Sequence, residues 1–187
     1  YSILAIYDST SGSTASSTVS GTITIDAPIA ISIGASGICV CPNASVGQTA
    51  VISGTTYTVV DNSTIAGQIA AGNYNLCTTP VTDMSQLFFC SSSDVSAGNC
   101  FNSNISFWDT SNVTNMNRMF YNNEVFNQDI GNWDTSSVTN MESMFDSARA
   151  FNQDIGNWNV SNVTNMRGMF QTNLGTMSFN QDIGNWD

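Results

Sequence analysis

The chain has 187 residues and carries fourteen carboxylates against three basic side chains, with no histidine and a formal net charge of −11. Arg118, Arg149 and Arg167 are its only basic side chains, so nothing in it could neutralise nucleic-acid phosphates or hold it to an anionic membrane surface. A histidine triad, a lysine Schiff base and a Gly-rich phosphate loop are excluded on inventory alone, and no run of 18 apolar residues spans a membrane.

The first elements are strands. Ser2-Ile-Leu-Ala-Ile-Tyr7 and Thr18-Val-Ser-Gly-Thr-Ile-Thr-Ile25 alternate apolar and small polar residues. Two strands alone are marginal, so residues 1–37 read as the last hairpin of an immunoglobulin-like module plus a linker through Asp26-Ala-Pro28. Short strands follow at Ala30 to Ile33 and Gly37 to Val40. A hairpin pairs Thr49–Ser53 with Thr56–Val60 about Gly54-Thr55, and Asp61-Asn62-Ser63 caps a helix from Thr64 to Ala70 that ends at Gly72. Residues 38–100 form an amino-terminal cap and degenerate first coil.

Residues 101–187 are periodic. Phe-Asn-Gln-Asp-Ile-Gly-Asn-Trp begins at Phe126, Phe151 and Phe179, with a looser copy at Phe101. Val-Thr-Asn-Met recurs at Val113, Val138 and Val163, and in diverged form at Val81. The first two steps are 25 residues; the third is 28 because Gly175, Thr176 and Met177 are extra. A period of this size is the signature of a solenoid whose coils bury their apolar faces against one another. The array stops at Trp186-Asp187 without a polar cap, which reads as a piece of a longer protein with more repeats following.

Within a coil, Met141, Met144 and Phe145 have the spacing of one inward-facing helical turn, and strands are expected at Asp129 to Asp134 and near Val138. Stacking at roughly 5 Å turns repeated residues into ladders. Trp108, Trp133, Trp158 and Trp186 are read as core, the alternative being a row of sugar-stacking rings. Asn115, Asn140 and Asn165 are read as buried amides bonded between coils. Asp129, Asp154 and Asp182 share a register, as do Asp109, Asp134 and Asp187, the latter interrupted by Asn159. Facing like charges are unfavourable. Either each Asp accepts an N–H two residues on, as in an Asx turn, or they share a Ca²⁺. No other cofactor is expected.

Five cysteines fit an oxidising compartment and leave one over. Cys90 and Cys100 bracket seven residues that the first coil has in excess, and a disulfide there would staple them. Cys41 and Cys77, flanking the segment before the array, are the second pair. Cys39 is the odd residue, a buried thiol rather than half of a zinc site, since no histidine completes a ligand set.

Residues that recur in every coil are explained by the repeat, so no enzyme is expected. Specificity belongs to positions that vary between coils, which nominates Arg118, Tyr121, Glu142, Arg149 and Arg167, with the extra segments at 90–100 and 175–177.

The unit F-N-Q-D-I-G-N-W-D-x-S-x-V-T-N-M-x-x-M-F resembles the repeat of BspA-like leucine-rich-repeat surface proteins, in the branch found in mycoplasmas and marine Bacteroidota. The stretch from Cys41 through Thr56-Tyr-Thr-Val-Val-Asp61 to Cys77 is similar to the segment that precedes such arrays, which supports the Cys41–Cys77 pairing. The resemblance implies secreted or cell-surface proteins that bind other proteins or matrix components, with no catalytic residues to transfer, and relatives exported by the type IX route. Asp8-Ser9-Thr10 and Asp146-Ser147-Ala148 fit the O-glycosylation pattern of that phylum, at Ser9 and Ser147.

The expected fold is a β-rich solenoid: leucine-rich-repeat-like coils of short strands and one-turn helices behind a β-rich, disulfide-bonded cap. The expected function is a non-enzymatic extracellular or cell-surface adhesion and protein-interaction module. The alternatives are a self-associating spacer or filament shaft and a carbohydrate-binding module.

Overall fold

A computed structural model describes residues 30–172 and 175–186, so the strands expected before residue 26 lie outside the described residues. The cap opens with β1 (Ser32–Ile33) antiparallel to β2 (Cys39–Val40). A hairpin follows, β3 (Thr49–Ile52) and β4 (Thr55–Val59), with Thr49 opposite Thr58 and Ile52 opposite Thr55. It turns at Ser53 and Gly54, one residue earlier than the sequence suggests. Both have positive φ, 50° and 83°, as a two-residue primed turn requires. Asp61 Oδ1 then accepts the N–H groups of Ser63 and Thr64 ahead of α1 (Ile65–Ala70). These bonds hold the Asp61 carboxyl below its ordinary range, the Ser63 and Thr64 side chains contributing most. β5 (Leu76–Cys77) lies parallel to β4, completing a sheet in the order β3-β4-β5.

Disulfides join Cys41 to Cys77 and Cys90 to Cys100. Inside the second loop is α2 (Ser92–Ala97), a helix that the repeat pattern does not announce. Its start is local chemistry: Ser91 Oγ accepts the Asp94 N–H at 3.2 Å while the Ser91 hydroxyl donates to the Asp94 carboxylate. Gly98, at φ 71°, closes the other end.

Beyond residue 80 the chain makes successive coils linked by parallel bridges at Asp83, Asn115, Asn140 and Asn165. Their backbone follows a rule that excludes helix. Met141, Ser143, Phe145 and Ser147 donate sideways to the carbonyls of Asn165, Arg167, Met169 and Gln171 in the next coil. The intervening Met144, Asp146 and Ala148 N–H groups close tight turns onto carbonyls three residues back. The coil before repeats this pattern, with Met116, Arg118, Phe120 and Asn122 donating to Asn140, Glu142, Met144 and Asp146. The expected helical turn at Met141–Phe145 is therefore a string of linked turns, because every second N–H is spent on the neighbouring coil. Gln86, Arg118 and Ser143 accordingly sit at φ between 53° and 58°, with Gly168 at 66° in the same register.

The strand expected at Asp129–Asp134 is also absent. That leg is held by side chains: Trp133 Nε1 donates to the Ile105 carbonyl (3.2 Å), Trp158 Nε1 to Ile130 (3.1 Å) and Trp186 Nε1 to Ile155 (3.1 Å). The Thr110 and Thr135 hydroxyls reach forward to the Asp134 and Asn159 carbonyls.

The interior is two columns of stacked phenyl rings. Phe88, Phe120, Phe145 and Phe170 follow one another at 5.5, 5.5 and 5.7 Å between centroids, and Phe101, Phe126, Phe151 and Phe179 at 6.1, 5.9 and 5.9 Å. Each coil contributes one ring to each column, in contact at 3.8–4.2 Å. Trp108, Trp133 and Trp158 are 0–3% exposed, so they fill the core and present no ring to a sugar.

Gly131 and Gly156 sit where the backbone of the next coil leaves no room for a side chain. A Cβ on Gly156 would lie 2.5 Å from the Asp182 carbonyl oxygen, and one on Gly131 2.6 Å from that of Asp154. Gly156→Ala is expected to cost about 1–3 kcal/mol through a backbone shift. Denaturant melts beside Gly67→Ala, where nothing lies within 4 Å, would check this; equal stabilities would contradict it.

Candidate functional site

Most of the repeated polar residues are spent on the scaffold. Every coil turns at three Asx corners, in which a side-chain Oδ1 accepts the N–H two residues on. One register holds Asn104, Asp129, Asp154 and Asp182, whose acceptors take the N–H groups of Ser106, Gly131, Gly156 and Gly184 at 2.9–3.0 Å. Asp109, Asp134 and Asn159 serve Ser111, Ser136 and Ser161 at 2.9–3.1 Å. Asp83, Asn115, Asn140 and Asn165 serve Ser85, Asn117, Glu142 and Arg167 at 2.8–3.1 Å. Asn and Asp interchange within a register because the corner uses only the acceptor.

The Asn115, Asn140 and Asn165 side chains are half-buried corner caps rather than buried, and the Asn115 and Asn165 amides also reach the preceding coil, donating to Asp83 Oδ1 (3.2 Å) and Glu142 Oε2 (3.0 Å). A second inter-coil amide ladder lies elsewhere. Asn102, Asn127 and Asn152 accept the N–H groups of Asn127, Asn152 and Asn180, and the amides of Gln128, Gln153 and Gln181 close onto the same oxygens. Asp129, Asp154 and Asp182 are exposed turn caps. Among the described residues no group of three or more Cys, His, Asp or Glu is placed to hold a metal ion. Melting with and without a chelator is expected to give the same midpoint; a fall of several degrees on chelation would point to a shared Ca²⁺.

Several of the non-repeating residues gather around one hollow. Arg118 is exposed, with its guanidinium carbon 5.5 Å from the Tyr121 ring centroid. Tyr121 stacks on Phe89 at 5.6 Å, and Phe89 is 47% exposed, unusual for so large an apolar ring. One coil further on, Arg149 pairs with Glu124 at 3.3 Å through both terminal nitrogens. The segment at 175–177 packs against it: a Cβ on Gly175 would sit 3.6 Å from Arg149 Nε, and the Ser178 N–H donates to the Arg149 carbonyl at 2.9 Å. On the opposite side Ser92, Val95 and Ser96 of α2 form a wall. Phe89, Tyr121, Glu124, Arg149 and this wall border an open hollow of about 390 Å³, with Asn122 and Ser147 also lining it.

Of the five variable-position candidates, Tyr121 and Arg149 line the hollow and Arg118 flanks it. Glu142 and Arg167 do not join it: Glu142 Oε2 accepts the Asn165 amide at 3.0 Å and Arg167 is exposed in the next coil. Sequence reasoning missed Phe89, Asn122 and Glu124, whereas the serines of α2 lie within the nominated segment at 90–100. Their signal was a change of residue within a register: Tyr121 gives way to Asp146 and Gln171, and Glu124 to Arg149. Ser147 is 8% exposed, lines the hollow and donates to Asp146 Oδ1 (2.9 Å). Ser9 lies outside the described residues.

Cys39 is fully buried beside the Cys41–Cys77 disulfide. Burial first, and the Asp109 carboxylate second, push its thiol up from 9.0 to about 11. A folded pKa above the unfolded one contributes stability that is complete below pH 9 and lost as pH rises towards 11. The folded chain is expected to resist a thiol reagent at pH 8 and take up one equivalent when denatured. Stoichiometric labelling of the native chain would contradict the burial.

Successive segments bridged in parallel, with the same Asx corners recurring in register, make this a repeat protein. The chain belongs to the family described as Mycoplasma protein of unknown function, DUF285, whose model matches residues 82–187, more than half of its length. No curated protein and no solved structure matches it. No helix among the described residues is long and apolar enough to cross a membrane.

Proposed function

We propose that the chain is a non-enzymatic recognition module of a secreted or cell-surface protein, built as a BspA-like leucine-rich-repeat solenoid with a disulfide-bonded cap. One observation carries this reading. α2, from the first extra segment, lines one hollow with the non-repeating Tyr121, Glu124 and Arg149, and Gly175 of the second lies against Arg149. A scaffold that needed only to stack would have no reason to concentrate its departures from periodicity there. Two disulfides favour an oxidising, extracellular setting. The partner class is other proteins or surface and matrix components.

The test is binding to arrayed matrix proteins and glycans by the wild-type chain and by Arg118→Ala, Tyr121→Ala and Arg149→Ala. Loss of binding with retained melting supports the module. A second reading, a spacer or filament shaft, is favoured by the phenyl columns and amide ladder, which run from coil to coil through the described repeats. Rod-like self-association in solution scattering, with no array binding, would establish the shaft instead.

A further inference from the structure

We infer that the hollow between α2 and the two coils beside it is a binding site for a neutral oligosaccharide, which rests on the recognition reading above and gives it a ligand class. The floor is aromatic and accessible: Phe89, almost half exposed, stacks on Tyr121 with 17° between the ring planes. Such a platform matches the apolar C–H face of a pyranose ring. Apart from Val95, the walls are polar: Ser92, Ser96, Asn122 and the Glu124–Arg149 ion pair supply donors and acceptors for a ring of hydroxyl groups. The volume, about 390 Å³, falls within the roughly 300–1,000 Å³ of small-ligand sites.

Three other ligand classes fit worse. A purely apolar guest would bury the serines and the ion pair without replacing their hydrogen bonds to water. An anionic guest would meet an Arg149 whose terminal nitrogens are already held by Glu124, on a chain of net charge −11 that repels it at a distance. A cationic guest would have to displace Arg149 from Glu124, with Arg118 flanking the floor. A ligand without charge, with one apolar face and a rim of hydroxyls, conflicts with none of these features. Trp108, Trp133 and Trp158, other rings that could have stacked on sugar, are consumed by the core.

The experiment is a printed array of neutral oligosaccharides, uronate- and sialate-bearing oligosaccharides and purified matrix proteins, followed by calorimetric titration of the best neutral binder. Wild type is compared with Phe89→Ala, with Val95→Trp, which fills the hollow from the α2 side, and with Arg167→Ala outside it. Circular dichroism melts report folding. The expected result is selective binding of neutral glycans, weakened about tenfold or more by Phe89→Ala and by Val95→Trp and unchanged in Arg167→Ala. Binding only to acidic glycans, or neutral binding kept within about twofold in either hollow variant, overturns the inference. Matrix proteins bound with no neutral glycan also overturn it, but leave the recognition reading standing. No binding to any spot sinks both.

Discussion

Phe145→Ala is expected to destabilise the chain by about 3–5 kcal/mol. Phe145 is completely buried. Its ring touches Phe120 at 5.5 Å in the coil before, Phe151 at 4.0 Å in its own coil, and Phe170 at 5.7 Å in the coil after, with Trp158 at 6.3 Å. Truncation leaves a void bounded by rings that are pinned in turn by their own stacking partners, so little collapse can refill it. A loss of this size is a large share of the roughly 5–15 kcal/mol by which a domain is stable. Urea denaturation measures it. Phe179→Ala, in a ring only partly buried at the far end of the other column, is expected to cost clearly less. Equal losses at the two positions, or less than about 1 kcal/mol at Phe145, would contradict the columnar core.

Removing the Cys41–Cys77 disulfide is the second large effect, expected at about 3–4 kcal/mol against about 2.5–3 kcal/mol for Cys90–Cys100. The difference follows from loop length, 36 residues against 10. The longer bridge also links the strand β5 to Cys41, just past β2, inside a small core shared with Ile31, Cys39 and Val59. Paired Cys→Ala variants melted in oxidising buffer isolate each bond. If the short loop cost more than the long one, the closure argument would fail and local packing would have to explain the difference.

Much of the coil geometry was legible because a 25-residue period fixes which residue lies above which. The bridge from Asn115 to Asn140 to Asn165 is the sequence repeat made physical. The Asx corner at Asp129, Asp154 and Asp182 could be written down from side-chain chemistry alone, since a carboxylate two residues before a free N–H has an obvious bond to make. The local conformation of Met141–Phe145 was less legible. A helical turn and a string of linked turns both return side chains at three and four residues, and only the sideways donation of alternate N–H groups separates them. That donation needs a neighbouring coil, which a local pattern does not contain. α2 was hidden differently: the excess residues between Cys90 and Cys100 were countable, but Ser91, Asp94 and Gly98 had to be weighed as a start and stop signal within a loop.

The candidate site was legible as a set of residues and illegible as a place. Variation within registers picks out Arg118, Tyr121 and Arg149, but Glu142 and Arg167 vary too and lie apart from the hollow. What groups Tyr121 and Arg149 is the packing of α2 across the hollow from them, and periodicity says nothing about segments that break it. Phe89 shows the same limit, since its exposure depends on where α2 packs and not on its own neighbours in sequence.

The most direct test of a division of labour between scaffold and face is one mutational scan of residues 81–186, read twice: once for folding and once for retention on the array. Two nearly separate sets of positions are predicted. The phenyl columns, the corner Asp and Asn residues and Gly131 and Gly156 should control folding, whereas Phe89, Tyr121, Glu124, Arg149 and the α2 serines should control binding alone. If binding were instead lost only where folding is lost, the irregular face would have no recognition role, and the account would be contradicted.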